Sequence, residues 1–356
     1  MTSLTSPPGN VQPGSPAHTG QAAASLPTST RAARRCHRWL LLTLPFTLLL
    51  ILYLAASLIV YNRLAAVAPL CAGQYADNTP ARFSVGSFAP GMDTRPYWMP
   101  SYETVSIPSR DAGITLSGWY IPAQGPRTVL VVHGLGAAGA ADCKRQPRAL
   151  LPAGMLHQAG FNVLMIDLRQ HGDSTVNDGM WAGGTKEYRD VLAAWDWLRT
   201  QKRIPPEHIG VYAYSGGTAS TLYAMGDEPR VAAAWLDSPF ADLGQAVNDR
   251  LWHDGYPLIL LPGGLFMAQA LHGDNLTGMS PLAEAPKIEG RPIFITHGDA
   301  DNTLSVSYAY TLAGALGLPK DRLWIVPGVD HVRAAFAFPQ EYARRLTGFF
   351  TQTLAG

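Results

Sequence analysis

Apolar residues are arranged along this chain in three ways. From Trp39 to Asn62 they form one run without a charged side chain. From there to about residue 101 they show no sustained period, and Pro69, Pro80, Pro90, Pro96 and Pro100 punctuate them. From Tyr102 onward, short β-branched runs alternate with stretches of helical spacing.

The third region predicts most of the fold. Glu103 to Ile107 and Ile114 to Ile121 are separated by the turn-rich Ser109-Arg110-Asp111-Ala112-Gly113, which predicts an antiparallel hairpin. Further strands are predicted at Thr128 to His133, Asn162 to Asp167, His208 to Ala213, Val231 to Asp237, Pro292 to His297 and Arg322 to Val326. Between them, Tyr188, Val191, Leu192, Trp195 and Leu198 recur at helical spacing, as do Tyr342, Leu346, Phe349 and Phe350 near the end. Strands alternating with helices predict an α/β domain with a mostly parallel sheet covered by helices. The segment between Asp237 and Pro292 is longer than a plain crossover requires and rich in Leu, so a small helical lid is expected over about 243–288.

The first region changes the picture from a soluble domain to a membrane protein. Leu40 to Val60 would form a helix of roughly 31 Å at 1.5 Å per residue, which matches the hydrocarbon thickness of a bilayer. Arg31, Arg34, Arg35 and Arg38 precede it, Tyr53 and Tyr61 lie towards its far end, and Pro45 is compatible with a kinked span. Ala66-Val67-Ala68 is a poor cleavage site because Pro69 follows it, so retention as a signal anchor is expected. The excess of arginine before the span predicts a cytoplasmic N-terminus and an extracytoplasmic globular domain. The resulting organisation is a disordered cytoplasmic tail over 1–38, a transmembrane segment over 39–61, a stalk or wrapped coil over 62–101, and a globular domain over 102–356.

Composition narrows the partners. The net charge is +1, and the basic excess sits beside the span rather than in a stripe on the domain, so no nucleic-acid partner is expected. The oligomeric state is left open. Of the three cysteines, Cys36 precedes the span while Cys71 and Cys143 follow it. Spacing leaves open whether those two pair or remain thiols. The ten histidines include no H-E-x-x-H pair and there is no Cys-x-x-Cys, so no metal or other cofactor is expected.

The chemistry-bearing segments come in a fixed order. In Gly210-Val211-Tyr212-Ala213-Tyr214-Ser215-Gly216-Gly217 an apolar strand runs into a serine flanked by small residues. Phe294-Ile295-Thr296-His297-Gly298-Asp299-Ala300-Asp301 is a strand followed by a polar turn, and Val326-Pro327-Gly328-Val329-Asp330-His331 is another strand leading into a loop. The first resembles the nucleophile elbow G-x-S-x-G of the α/β-hydrolases, with Ala213 in place of the first glycine. The other two are similar to the acid-bearing and histidine-bearing segments of that superfamily. This resemblance covers residues 102 to 356. It implies the α/β-hydrolase fold, with an N-terminal antiparallel hairpin, helices on both faces and a lid.

It further implies a catalytic Ser215, Asp301 and His331, with Asp299 and then Asp237 as alternative acids. The backbone N–H groups of Gly216 and Leu135 would form the oxyanion hole, Leu135 because it follows the H-G element Val131-Val132-His133-Gly134. Asp167-Leu168-Arg169-Gln170-His171-Gly172-Asp173-Ser174 resembles a structural turn of the superfamily in which Asp167 and Arg169 pair, and His171 needs no catalytic role. The expected substrate is a small-molecule or lipid acyl compound, with an ester favoured over a thioester or peptide. Two other classes compete: a catalytically silent scaffold of the same fold, and a dinucleotide-binding oxidoreductase suggested by Gly134-Leu135-Gly136-Ala137-Ala138-Gly139. The second is disfavoured because Asp142, Lys144, Arg145 and Pro147 interrupt the helix that should begin within those glycines.

Overall fold

The computed structural model describes residues 30–68, 71, 73, 75–135, 142–288 and 290–356, with the backbone alone at 30–38 and 40–42. The chain divides into two compact units between Ile51 and Leu52. Helix α1, Thr30–Ala65, runs through the division, and its Thr43–Ala65 stretch is long and apolar enough to cross a membrane. The tail expected over 1–38 ends earlier than predicted, because Thr30-Arg31-Ala32-Ala33-Arg34-Arg35 is made of residues that sit easily in a helix. The remainder of that tail, 1–29, lies outside the described residues.

The second unit is built on one eight-stranded sheet: β1 (Glu103–Pro108), β2 (Thr115–Ile121), β3 (Thr128–Val132), β4 (Asn162–Ile166), β5 (Ile209–Tyr214), β6 (Ala233–Asp237), β7 (Ile293–Gly298) and β8 (Leu323–Val326). Their order is β1-β2-β4-β3-β5-β6-β7-β8. The β1–β2 hairpin is antiparallel and β2 meets β4 antiparallel; every later pairing is parallel. Strand boundaries agree with the sequence pattern to within two residues.

The remaining helices are α2 (Pro147–Gln158), α3 (Tyr188–Thr200), α4 (Gly216–Asp227), α5 (Leu243–His253), α6 (Leu261–His272), α7 (Pro281–Ile288), α8 (Ser307–Ala315), α9 (Ala334–Ala337) and α10 (Pro339–Thr353). Central strands are buried on both sides, so their side chains sort by parity alone. Leu130, Val132, Val211, Ala213 and Leu236 face a core with α3, α4, α7 and α8. Val129, Val131, Tyr212, Tyr214 and Trp235 face the opposite core with α2 and α10. Helices therefore cover both faces, as the resemblance implies.

One open choice is resolved and two expectations need correction. Of the two readings of the segment after the span, stalk or wrapped coil, the structure shows the wrapped coil. Phe83, Val85 and Met99 are buried in the α2–α10 core, and Val67 N–H donates to the Gly179 carbonyl at 2.9 Å. Scattered apolar residues without a period serve for such wrapping, because each fills its own gap. The lid expected over 243–288 is shorter: α7 packs on α4 and α8 and belongs to the body, leaving α5 and α6 as the lid. Finally, Asp167 and Arg169 do not pair. Asp167 takes the buried Lys144 ammonium and its backbone N–H, whereas Arg169 forks onto Asp190 at 2.7 and 2.9 Å and reaches Asp111 at 2.7 Å. Both residues lie beyond the end of β4, where no strand alternation holds them on a common face, so each takes its own charged partner.

Cys71 and Cys143 form a disulfide with their Cα atoms 6.2 Å apart. It joins the wrapped segment to the loop between β3 and α2. Gly136 and Gly139 of the glycine-rich pattern lie outside the described residues, and α2 begins only at Pro147, well past those glycines.

The approach of α4 to β3 depends on Gly217. A Cβ there would lie 2.3 Å from the His133 carbonyl oxygen and 2.9 Å from that of Val132, both backbone atoms that cannot swing aside. Gly217→Ala is expected to lower the unfolding free energy by about 3 kcal/mol, read by chemical denaturation in detergent. Unchanged stability would mean that α4 has room to move off the sheet.

Candidate active site

β5 ends in a tight turn. Ser215 has φ 51° and ψ −128°, a left-handed conformation that costs energy outside glycine, and α4 starts at the next residue. Its N–H donates to the Asp237 carbonyl at 2.9 Å, so the sheet holds the strained residue in place. The turn also needs small neighbours: a Cβ at Gly216 would stand 3.1 Å from the Leu135 nitrogen. Ala213 faces the α3–α4 core from within β5 and is fully buried, so a methyl is accommodated where the resemblance has glycine.

The structure brings together the three residues singled out in the sequence. The Ser215 hydroxyl is 2.8 Å from Nε2 of His331, and Nδ1 of His331 is 2.7 Å from Oδ2 of Asp301. The Asp301 side chain is buried and well satisfied. Its Oδ1 accepts the Thr303 and Leu304 N–H groups, each at 2.8 Å, and its Oδ2 also meets Nε2 of His297 at 3.1 Å. Burial pushes this carboxyl up, but the hydrogen bonds from His297 and His331 outweigh it and hold the group well below the usual carboxylate range. His297 was missed in the sequence; its position four residues before Asp301 is the only hint, since both must turn inward at the end of β7.

The two alternative acids have other tasks. Asp299 accepts the Gly328 N–H at 2.6 Å and so joins the β7 and β8 loops. Asp237 is buried, accepting the Tyr342 hydroxyl at 2.7 Å and that of Ser238 at 3.2 Å. Ser238, at φ 51°, accepts in turn the N–H of Val332, itself at φ 51°. A β-branched residue rarely adopts that conformation, and the bond anchors the loop directly after His331.

Burial raises the Asp237 carboxyl to about 6, against the opposing hydrogen bond from Tyr342. A raised folded-state pKa gives stability that is present below the unfolded value and is lost as pH climbs through the folded one. Asp237→Asn, which can keep the Tyr342 bond, is therefore expected to gain about 2 kcal/mol over the parent between pH 4 and pH 7. Parallel unfolding curves across that range would refute it.

The H-G element is structural at His133. Its Nε2 accepts the Leu168 N–H at 3.0 Å, which leaves Nδ1 to donate to the Gly134 carbonyl at 2.7 Å. His171 stacks edge-on against it at 4.8 Å; burial and that neighbour lower it to about 4, and it stays away from Ser215. Among the described residues no carbonyl takes the Leu135 N–H. Leu135 and Gly216 line, with Ser215 and His331, a cleft of about 300 Å³.

The cleft is roofed by Leu243, Ala246, Val247 and Arg250 of α5, and Arg63 and Leu64 of α1 close one side. Through Leu64, Trp181, Leu243 and Val247 it adjoins a smaller, almost wholly apolar cavity between α1 and the lid. A serine hydroxyl bonded to an imidazole, bonded in turn to a buried carboxylate, has the connectivity of nucleophilic acyl transfer.

Known proteins agree with the fold. The Escherichia coli K12 protein YfhR is 26% identical over 242 residues, covering 66% of this chain and 75% of its own length. Human protein ABHD12B is 26% identical over 229 residues, covering 60% of this chain and 58% of its own. Among solved structures, the Pyrococcus furiosus esterase Pf2001 superposes with a TM-score of 0.57 at 22% identity, covering 78% of this chain and all of that one. A membrane phospholipase A described as a bacterial virulence factor superposes at 0.50 with 20% identity, covering 71% of this chain and 86% of its own. The prolyl oligopeptidase family model matches residues 152–356, a stretch that contains Ser215, Asp301 and His331 and more than half of the sequence. On that match, and on an α/β-hydrolase sheet completed by its N-terminal hairpin, the chain belongs to the prolyl oligopeptidase family of hydrolases.

Proposed function

We propose that this protein is a single-pass membrane serine hydrolase that cleaves carboxylic esters of apolar acyl groups, with Ser215, His331 and Asp301 as its catalytic triad. The observation that carries this reading is the continuous hydrogen-bonded line from Ser215 through His331 to Asp301, opening on a cleft whose adjoining cavity is apolar. His331 takes the proton of Ser215 as Oγ attacks the ester carbonyl. The oxyanion is held by the N–H groups of Leu135 and Gly216, and the imidazolium then protonates the departing alcohol. Water, deprotonated by His331, attacks the acyl-serine and releases the acid. Asp301, ionised throughout, keeps the imidazole in the productive tautomer.

Apolar walls favour an acyl chain over the charged termini of a short peptide, which would need a dedicated charge partner. Arg250 in the roof is already paired with Asp254 at 2.8 Å. The fold neighbours include an esterase and a phospholipase A, in agreement with this choice. The arginine-rich start of α1, ahead of its apolar stretch, supports a cytoplasmic N-terminus with the domain outside.

The test is a panel of nitrophenyl esters of graded acyl length beside prolyl and alanyl peptide amides, given to the full chain in detergent. Turnover rising with acyl length, with no amide cleavage, is expected. Peptide cleavage without ester turnover would replace the ester assignment by the peptidase one that the family name carries.

A further inference from the structure

We propose that the lid is a second membrane-embedded element: the turn before α6 and the exposed face of α6 sit in the acyl region of the outer leaflet, beside α1, so that the cleft opens sideways into lipid. This rests on the reading of α1 as a membrane span.

The argument begins with depth. Tyr53 OH donates to the Ile259 carbonyl at 2.9 Å. Four residues further along α1, Ser57 meets Gly263, where a Cβ would lie 2.7 Å from the Ser57 Cβ. Beyond them Tyr61 packs on His272, ring centres 5.8 Å apart. The two helices thus run side by side in the same direction. The rise from Tyr53 to Arg63 is about 15 Å at 1.5 Å per residue, half the thickness of a hydrocarbon core. If Arg63 marks the membrane surface, Ile259 stands near the bilayer centre.

The lid's chemistry suits that place. From Gly255 to Leu271 there is no charged residue. Trp252, Ile259, Phe266 and Leu271 are exposed, between 56% and 76%, a concentration of large apolar side chains within residues 252–271 that points to an apolar surrounding. Within lipid, a non-helical turn survives only if its polar backbone groups find partners, and the Tyr53 hydroxyl supplies one at the Ile259 carbonyl. A tyrosine in the middle of an otherwise apolar span is thereby accounted for. Gly263 lets the helices approach as small residues do within membranes. His253, Asp254, His272 and Asp274 flank the insert at its two ends, where headgroups and water would meet them.

The test uses the full chain in lipid nanodiscs, in a Cys36→Ser background, with spin labels at Ile259→Cys, Phe266→Cys and, on the body, Tyr310→Cys. Labels at 259 and 266 are expected to be relaxed by oxygen and shielded from an aqueous nickel chelate, with the opposite pattern at 310. Nickel access at 259 and 266 equal to that at 310 would overturn the proposal. So would shielding from both reagents, which would mean that a second protein surface covers the patch.

A second arm compares Ile259→Glu/Phe266→Glu with the parent on a long-chain ester in the bilayer and on a soluble short-chain ester. The ratio of the two rates is expected to fall at least tenfold, and an unchanged ratio would count against the sideways opening. Labels that report lipid in a protein hydrolysing no ester would leave the embedding standing and remove only the hydrolase assignment.

Discussion

Ser215→Ala is expected to abolish covalent labelling by a fluorophosphonate probe and to lower kcat for ester turnover by about 10⁴- to 10⁶-fold, and His331→Ala is expected to do nearly the same. The two effects should not add. Ser215 Oγ and His331 Nε2 share one hydrogen bond of 2.8 Å, so removing either leaves the other without its function. The double variant is therefore expected to match the single ones, leaving the residual rate given by the oxyanion donors and the cleft. Ser215 is held through its backbone, so thermal unfolding of Ser215→Ala should be close to that of the parent, whereas His331→Ala also takes one hydrogen bond from the buried Asp301 carboxylate and should unfold somewhat earlier. A folded parent that resists the probe would instead favour a silent scaffold of the same family.

Asp301→Asn is expected to cost about 10⁴-fold in kcat while leaving the shape of the site intact. The carboxylate accepts hydrogen bonds from two backbone N–H groups and from His331, and Nε2 of His297, which also meets the Leu304 carbonyl at 3.0 Å, lies 3.1 Å away. An amide can serve one pair of these donors only by turning its NH₂ on the other. If the oxygen stays with Thr303 and Leu304, the NH₂ faces His331 and drives its proton to Nε2, where the ring can no longer accept from Ser215. The effect is on tautomer rather than binding, so KM should change little. Because Asp301 is held well below the usual carboxylate range, it stays ionised wherever the protein is folded and active. The acid limb of kcat/KM should accordingly show a single ionisation. A second proton on that limb, lost in Asp301→Asn, would contradict the site as described.

Much of this was legible in the sequence, for identifiable reasons. Strand ends could be placed because β-branched runs and turn residues are local signals, and the central strands, buried on both faces, leave little room for polar residues. Ser215, Asp301 and His331 could be named because each follows its own strand, and a parallel sheet delivers all such ends to one edge. Lys144 was opaque: its partner Asp167 lies on the loop after the neighbouring strand β4, and nothing in either segment marks the pair. His297 was hidden by its proximity to the acid it supports. The pairing of Cys71 with Cys143 could not be read either, because spacing carries no information about whether a wrapped segment returns to the β3 loop. The lid was overestimated since no strand separates α7 from the apolar insert before it, and only packing on α4 distinguishes a body helix from a roof.

That disulfide bears on how the molecule is sorted. It closes a loop of 72 residues containing β1, β2 and β3, and a cross-link over that distance disfavours the unfolded chain by about 4 kcal/mol. Only an oxidising compartment supplies the bond. In a reducing compartment both thiols would stay free and that margin would be lost. On the proposed topology, with the domain outside, the covalent link ties the full stability of the domain to the compartment it reaches.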